Sequence, residues 1–190
     1  EAISSFPVFA THLWHFLRLP NPTPVQYQLA DYLQNGPNRR IIMAYRGCGK
    51  SFLTAGYVLW RLRKNPDTKV LVISAAQDRA DAFSVFCHDL LRNWFMVKDL
   101  FPSDTQRFSK VAFDVFGSKP DQSPSVRSSG IFGQITGSRA DLIVADDVET
   151  PQSCETQLIR DKLRESIKEF DSVIKPGGEI VFLGTPHTQD

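Results

Sequence analysis

The sequence predicts an α/β fold in which a mainly parallel sheet is flanked by helices, and three observations carry that expectation. First, the apolar run Ile41-Ile42-Met43 leads directly into Ala44-Tyr45-Arg46-Gly47-Cys48-Gly49-Lys50-Ser51 and then into an amphipathic stretch, which reads as strand, tight loop and helix. Second, short apolar runs alternate with longer helical patterns: strand 41–44, helix 51–62, strand 70–74 and helix 78–94, with Asn65-Pro66-Asp67 as the intervening turn. Third, the apolar run Leu142-Ile143-Val144-Ala145 ends in two acids and is followed by a helical pattern over 156–170 and a last strand over 180–183. Strands separated by helices in this way pair in parallel.

The remaining elements fit around that frame. Leu13, Trp14, Phe16 and Leu17 give a short helix over 12–19 that ends at Pro20, and Asn21-Pro22-Thr23-Pro24 breaks the chain before a second helix over 26–33. Residues 1–38 therefore form a helical lead-in and 39–190 the core of a single domain. Between 101 and 138 the periodicity fades among Pro102, Pro120 and Pro124, and this stretch reads as an irregular β insert with candidate strands at 111–116 and 131–135. Pro176-Gly177-Gly178 reads as the turn before the last strand. There is no internal repeat and no low-complexity tract.

Composition limits the partners. With 190 residues, 42% of them hydrophobic, the chain has enough material for one sizeable core. Its 22 basic and 21 acidic residues leave a net charge of +1, so any nucleic-acid contact must come from a local patch. Two such patches are candidates: Arg61, Arg63 and Lys64, or Arg107, Lys110, Lys119 and Arg127; each also reads as an ordinary solvated face. Cys48, Cys87 and Cys154 are widely spaced, without a C-x-x-C pair, as expected of a reduced intracellular protein. No segment is long and apolar enough to span a membrane, and Glu1-Ala2-Ile3-Ser4 lacks the basic start of a secretion signal. A start without Met and an end just after Gly184-Thr185-Pro186 lead us to expect a domain cut from a larger protein.

The chemistry resides in five places. The 44–51 loop matches the phosphate-loop pattern, with Ala44 in place of the first glycine and an additional Gly47. In such a loop successive backbone N–H groups curl around a β-phosphate at a helix N-terminus, Lys50 reaches the β and γ oxygens, and Ser51 reaches Mg²⁺. Cys48 reads as a small loop residue, with a helix-activated thiol as the alternative. Opposite the loop, Asp146 is expected to hold Mg²⁺ and Asp147 to orient or deprotonate the attacking water, with Glu149 the rival for that second role. Gln26, in Pro22-Thr23-Pro24-Val25-Gln26, has an amide able to donate to and accept from adenine, with Gln28 the alternative. Two arginines bear on phosphoryl charge: Arg46 within the loop, as phosphate sensor or as a salt-bridge brace, and Arg139, before the acidic strand. Thr185, in Leu183-Gly184-Thr185-Pro186, ends the last strand near the γ-phosphate position.

Taken together, Pro22-Thr23-Pro24-Val25-Gln26, Tyr45-Arg46-Gly47-Cys48-Gly49-Lys50-Ser51-Phe52, Asp121-Gln122-Ser123-Pro124-Ser125-Val126, Gly133-Gln134-Ile135-Thr136-Gly137-Ser138-Arg139-Ala140-Asp141, Asp146-Asp147-Val148-Glu149 and Leu183-Gly184-Thr185-Pro186 run in order through nearly the whole chain. This series resembles the N-terminal ATPase domain of the large terminase subunit, the DNA-packaging motor of tailed double-stranded DNA phages, in particular the short-tailed kind. The resemblance implies a RecA/ASCE-like phosphate-loop NTPase fold, ATP and Mg²⁺ as ligands, and a loop segment from Tyr45 to Phe52 around the nucleotide. It also implies Gln26 as adenine reader, Asp146 as metal-site acid, Asp147 as catalytic carboxylate, Thr185 within the coupling motif, and Arg139 as a finger offered to a neighbouring subunit. The family often has Asp-Glu where this chain has Asp146-Asp147. Implied partners are double-stranded DNA, a portal protein, a small terminase subunit and further copies in a ring. The implied location is the host cytoplasm, docked on a procapsid, and a C-terminal nuclease is expected outside this chain. A DEAD-box-like helicase core, which shares the Pro-Thr-Pro-Val-Gln pattern and the phosphate loop, is the alternative.

Overall fold

Six strands form one sheet in a computed structural model that describes residues 4–150 and 155–186. They are β1 (Arg39–Met43), β2 (Val70–Ser74), β3 (Ala112–Phe113), β4 (Val126–Gly130), β5 (Ala140–Asp146) and β6 (Ile174–Gly184). The spatial order is β1-β6-β5-β2-β4-β3, with every pairing parallel except that of β3 with β4. The helices are α1 (Phe6–Phe16), α2 (Pro24–Asn35), α3 (Lys50–Lys64), α4 (Gln77–Asn93), α5 (Gln157–Lys168) and the one-turn α6 (Phe170–Val173).

Strand side chains alternate between two apolar cores. On one face Ile42, Val70, Val72, Leu142, Val144, Val181 and Leu183 meet buried side chains of α1, α3 and α4, among them Leu13, Tyr57, Leu59 and Leu91. On the other, Leu71, Ile73, Ile143, Ala145 and Ile180 meet Leu163 of α5 and Phe170 and Val173 of α6, with Ile131 and Ile135 closing the layer. Strand β2, buried along its whole length, reads as an unbroken apolar run for that reason.

The register aligns the strand ends that matter. Met43 pairs with Gly184, Leu183 with Asp146, and Asp146 with Ser74, so the residues that follow β1, β5 and β6 emerge together at the C-terminal edge. In open α/β sheets this edge is where ligands bind.

Five expected elements differ. Helix α1 begins at Phe6 and stops at Phe16 instead of covering 12–19, because Pro7 sits in its first turn and Phe6, Phe9 and Ala10 join the core with Leu13 and Trp14. The expected strand at 111–116 shrinks to Ala112–Phe113, and that at 131–135 is a turn in which Gly133 N donates to Gly130 O at 2.8 Å. The core strand of that region is β4, whose polar Val-Arg-Ser-Ser-Gly composition hides its burial. Pro176-Gly177-Gly178 does not interrupt the last strand; those residues are extra length in β6, where the pairing with β5 shifts register between Ala140↔Ile174 and Leu142↔Glu179. The helix expected over 156–170 divides into α5 and α6 at Glu169.

Candidate active site at the C-terminal edge of the sheet

The loop between β1 and α3 is shaped by two glycines in the left-handed region, Gly47 at φ 88° and Gly49 at φ 85°. Gly49 is constrained twice over, since a Cβ there would also stand 3.0 Å from the Trp14 ring. Cys48, between them, is buried, in keeping with a structural loop residue. Cys154 lies outside the described residues. Helix α3 starts at Lys50, so Lys50 and Ser51 occupy its first turn, where N–H groups lack intrahelical partners.

Lys50 is 8% exposed and its ammonium is directed along the strand ends. Its Nζ donates to Ala44 O at 2.6 Å and to Thr185 Oγ1 at 2.9 Å. The Thr185 hydroxyl in turn approaches Asp147 Oδ1 and Oδ2 at 3.2 and 3.3 Å. A single polar chain thus joins the lysine that opens α3, the end of β6 and the acid that follows β5. Asp147 has φ 44°, unusual for a residue with a side chain, and its N–H is fixed to Leu183 O at 2.9 Å. Asp146, at the end of β5, is pushed up to about 6 by burial and by the adjacent Asp147 charge, against the opposing pull of Lys50 and Arg79. That influence puts the Lys50 ammonium within electrostatic range of Asp146.

Gln26 reaches this loop from α2. Its side chain completes a capping box with Thr23, accepting from Thr23 N at 2.8 Å, while Nε2 donates to Cys48 O at 2.9 Å. One amide N–H and one oxygen lone pair remain for another partner. Gln28 instead lines an open groove with Tyr27, Asp31 and Tyr32. Tyr45 and Arg46 are exposed, and Arg46 has no ion pair among the described residues. Phe52 turns to aromatic neighbours, 6.4 Å from Trp14 and 5.3 Å from Phe86 between ring centroids.

Glu149 is exposed and borders two grooves, one with Asp147, Met43 and Thr185, the other with Arg160, Arg164 and Lys168 of α5. Arg139 precedes β5 and therefore sits at the sheet's opposite edge, about 20 Å from Asp146 at the strand rise per residue. The basic patches are largely engaged. Arg61 binds Glu179 at 2.5 Å, Arg63 binds Asp99, Lys64 lies over the Trp60 ring, and Lys119 pairs with Asp67. Arg107 clamps Asp114 at 2.8 Å and also donates to Asp121 O and Gln122 O.

Comparison with known proteins accords with this geometry. No family model matches the chain. The large terminase subunit of Enterobacteria phage T3 is 46% identical over 187 residues, covering 97% of this chain. The chain is homologous to part of a phage large terminase subunit. It spans 32% of the length of that terminase. Among solved structures, the ATPase domain of the Thermus phage P74-26 large terminase has the same fold, with a TM-score of 0.53 at 16% identity, and the chain covers 69% of it. A point mutant of that domain gives 0.58 at 14%, over 70% of its length. Saccharomyces cerevisiae Dbp5 bound to Gle1 and IP6 gives 0.62 at 13% identity, a likeness of fold alone, with 46% of it covered.

Two residues at this edge of the sheet escaped the sequence reading. Arg79, near the start of α4, bears electrostatically on Asp146, and Ser74 pairs in register with it. By strand alternation Ser74 and Asp146 share the face covered by α3 and α4, and the Ser74 hydroxyl is buried with no hydrogen-bond partner among the described residues. The signal for Ser74 lies in the β2–β5 pairing, which single-sequence patterns do not reveal, and that for Arg79 in the placement of α4 directly after β2.

Proposed function

We propose that this chain is the ATPase motor part of a viral large terminase, hydrolysing ATP to drive double-stranded DNA into a procapsid. The observation that carries the reading is the chain Lys50–Thr185–Asp147 beside Asp146, assembled from two strand ends and one helix start. Lys50 binds the β and γ phosphate oxygens, exchanging its present carbonyl and hydroxyl acceptors for them. Asp147 orients and deprotonates the attacking water, and Thr185 ties its position to that of Lys50, so that the state of the phosphates is felt at the end of β6. Asp147 is preferred to Glu149 because it belongs to this chain of contacts, whereas Glu149 is exposed beside the α5 basic groups.

The donor set fits a magnesium ion: Asp146 is a half-buried carboxylate held next to a second one, which raises its demand for a cation, and Ser51 brings a hydroxyl to the same edge. When bound, the ion supplies neutralisation of phosphate charge. Gln26 reads adenine through its remaining donor and acceptor, and Arg46 senses phosphate from within the loop. Arg139, too distant to serve its own subunit, serves the next one in a ring of identical copies. DNA, a portal protein and a small terminase subunit are the partners, the host cytoplasm the location, and a nuclease belongs to the rest of the polypeptide. The T3 relationship supports this over a helicase, which gains only a fold likeness.

Phosphate release and nucleotide binding test the assignment. Lys50→Ala should lose binding or turnover. Asp147→Asn should abolish turnover, by roughly 10³-fold or more, while sparing binding of Mg·ATP, with Glu149→Gln losing far less. Full activity in Lys50→Ala would remove the phosphate-loop assignment, and the reverse order of the two acids would move the base to Glu149.

A further inference from the structure

Arg139 is presented by a segment fastened on both sides. Ahead of it, Gln134 to Ser138 makes a compact turn: Ile135 is buried in the second core, Gly137 takes φ 87°, and Ser138 N donates to Ile135 O at 3.1 Å. One side chain from another strand spans that turn. Arg127 of β4 donates through Nη1 to Ser138 Oγ at 2.8 Å and through Nη2 to Gln134 O at 3.1 Å. Behind Arg139, Asp141 is locked to Lys69, accepting from its N–H at 2.7 Å while Asp141 N donates to Lys69 O at 2.8 Å, and Lys175 Nζ holds the same carboxylate at 3.0 Å. Arg139 itself is exposed at the rim of a cleft of about 310 Å³ shared with Arg127 and the 121–124 segment. Among the described residues it makes no hydrogen bond or ion pair. A rigid mount holding one unspent guanidinium is the arrangement expected where a charge must be delivered to something outside the subunit.

We infer that Arg127 is the positioning residue of Arg139: its guanidinium bridges the turn and fixes the direction in which Arg139 leaves the sheet. This rests on the reading that Arg139 acts on the nucleotide of a neighbouring copy. A planar guanidinium can hold both acceptors at once, whereas an ammonium on a flexible stem holds them poorly. Arg127 therefore acts through geometry, and its loss should lower kcat without altering nucleotide affinity in its own subunit, which lies at the other end of the strands.

The test uses the whole polypeptide that carries this chain, assembled so that it turns over ATP, with steady-state phosphate release and binding of a fluorescent ATP analogue as the two readouts. Arg127→Ala should lose about 10- to 100-fold in kcat, the scale of a displacement near 1 Å at a catalytic group, with KM and analogue affinity within about twofold of the parent. Arg127→Lys should fall between the two. Mixing Arg127→Ala with Asp147→Asn subunits, whose own sites are dead but whose Arg139 is normally mounted, should restore turnover; mixing it with Arg139→Ala should restore none. If Arg139→Ala is rescued by Asp147→Asn while Arg127→Ala either keeps parent turnover or loses it without rescue, the positioning role is overturned and the trans reading stands. If Arg139→Ala keeps parent turnover, or is not rescued, the trans reading falls and this inference falls with it.

Discussion

Replacing Asp146 by Asn should make the nucleotide-free protein more stable while removing its Mg·ATP response. The Asp146 carboxyl titrates at about 6 in the fold, because burial and the neighbouring Asp147 charge both penalise its ionised form. In the unfolded chain a carboxyl titrates at about 4. The folded value is the higher one, so between these two pH values the native state binds the extra proton and stability falls as pH rises. Above pH 6 the full penalty is present, roughly 3 kcal/mol at 1.36 kcal/mol per pH unit; Asp146 is not fully buried, and solvent screening reduces this to about 1–2 kcal/mol. Asp146→Asn removes the charge and keeps the shape. In metal-free, nucleotide-free buffer at pH 7.5 its Tm should therefore exceed the parent's by about 3–6 °C, and the gain should shrink towards zero near pH 4. Adding Mg·ATP should raise the parent's Tm and leave the variant's unchanged. A variant that melts at or below the parent at pH 7.5 would refute the claim that this carboxylate is held, at a cost in stability, for a ligand's use.

Two further outcomes follow from the same contacts. Glu179 sits at the far end of the sheet, where burial tends to raise its pKa but the charges and hydrogen bonds of Arg61 and Arg40 outweigh this and lower it. A depressed carboxylate stabilises above the unfolded value and loses that contribution as pH falls through the folded one. Glu179→Gln should then cost about 3 kcal/mol in urea unfolding at pH 7, because Arg40 at 3% exposure is left uncompensated, and the deficit should narrow below pH 4; an unchanged midpoint at pH 7 would contradict this. Gly49→Ala, with φ 85° and the Trp14 ring 3.0 Å from the new Cβ, should cost about 1–3 kcal/mol in stability and weaken ATP-analogue binding more than tenfold, and parent-like binding would refute the stated shape of the loop.

Legibility in the sequence followed the physics of each element. β2 and β5 were readable because parallel strands covered on both faces appear as apolar runs, β1 because its Ile41-Ile42-Met43 run is apolar even though Ile41 and Met43 are exposed on the sheet's edge, and the helices between them because one side of each is apolar. β4 was not, since its buried Ser128 and Ser129 meet their polar needs by donating to Lys110 O and Gly130 O, which no hydropathy pattern records. The acids of the site were visible as the end of an apolar strand. What they touch was not: Thr185 meets Asp147 across 38 positions of chain, Ser74 comes to Asp146 through strand pairing, and Arg79 bears on it from the start of α4. The position of Arg139 at the opposite edge follows only once the direction of β5 is known.

The most direct test of the proposed motor is a structure of the protein with magnesium and a non-hydrolysable ATP analogue. Lys50 Nζ is expected within about 3 Å of a β or γ phosphate oxygen, with the Asp146 carboxylate bound to the metal or to one of its waters in the same site. A nucleotide seated elsewhere, or one that contacts Lys50 while Asp146 stays remote from the metal, would contradict it.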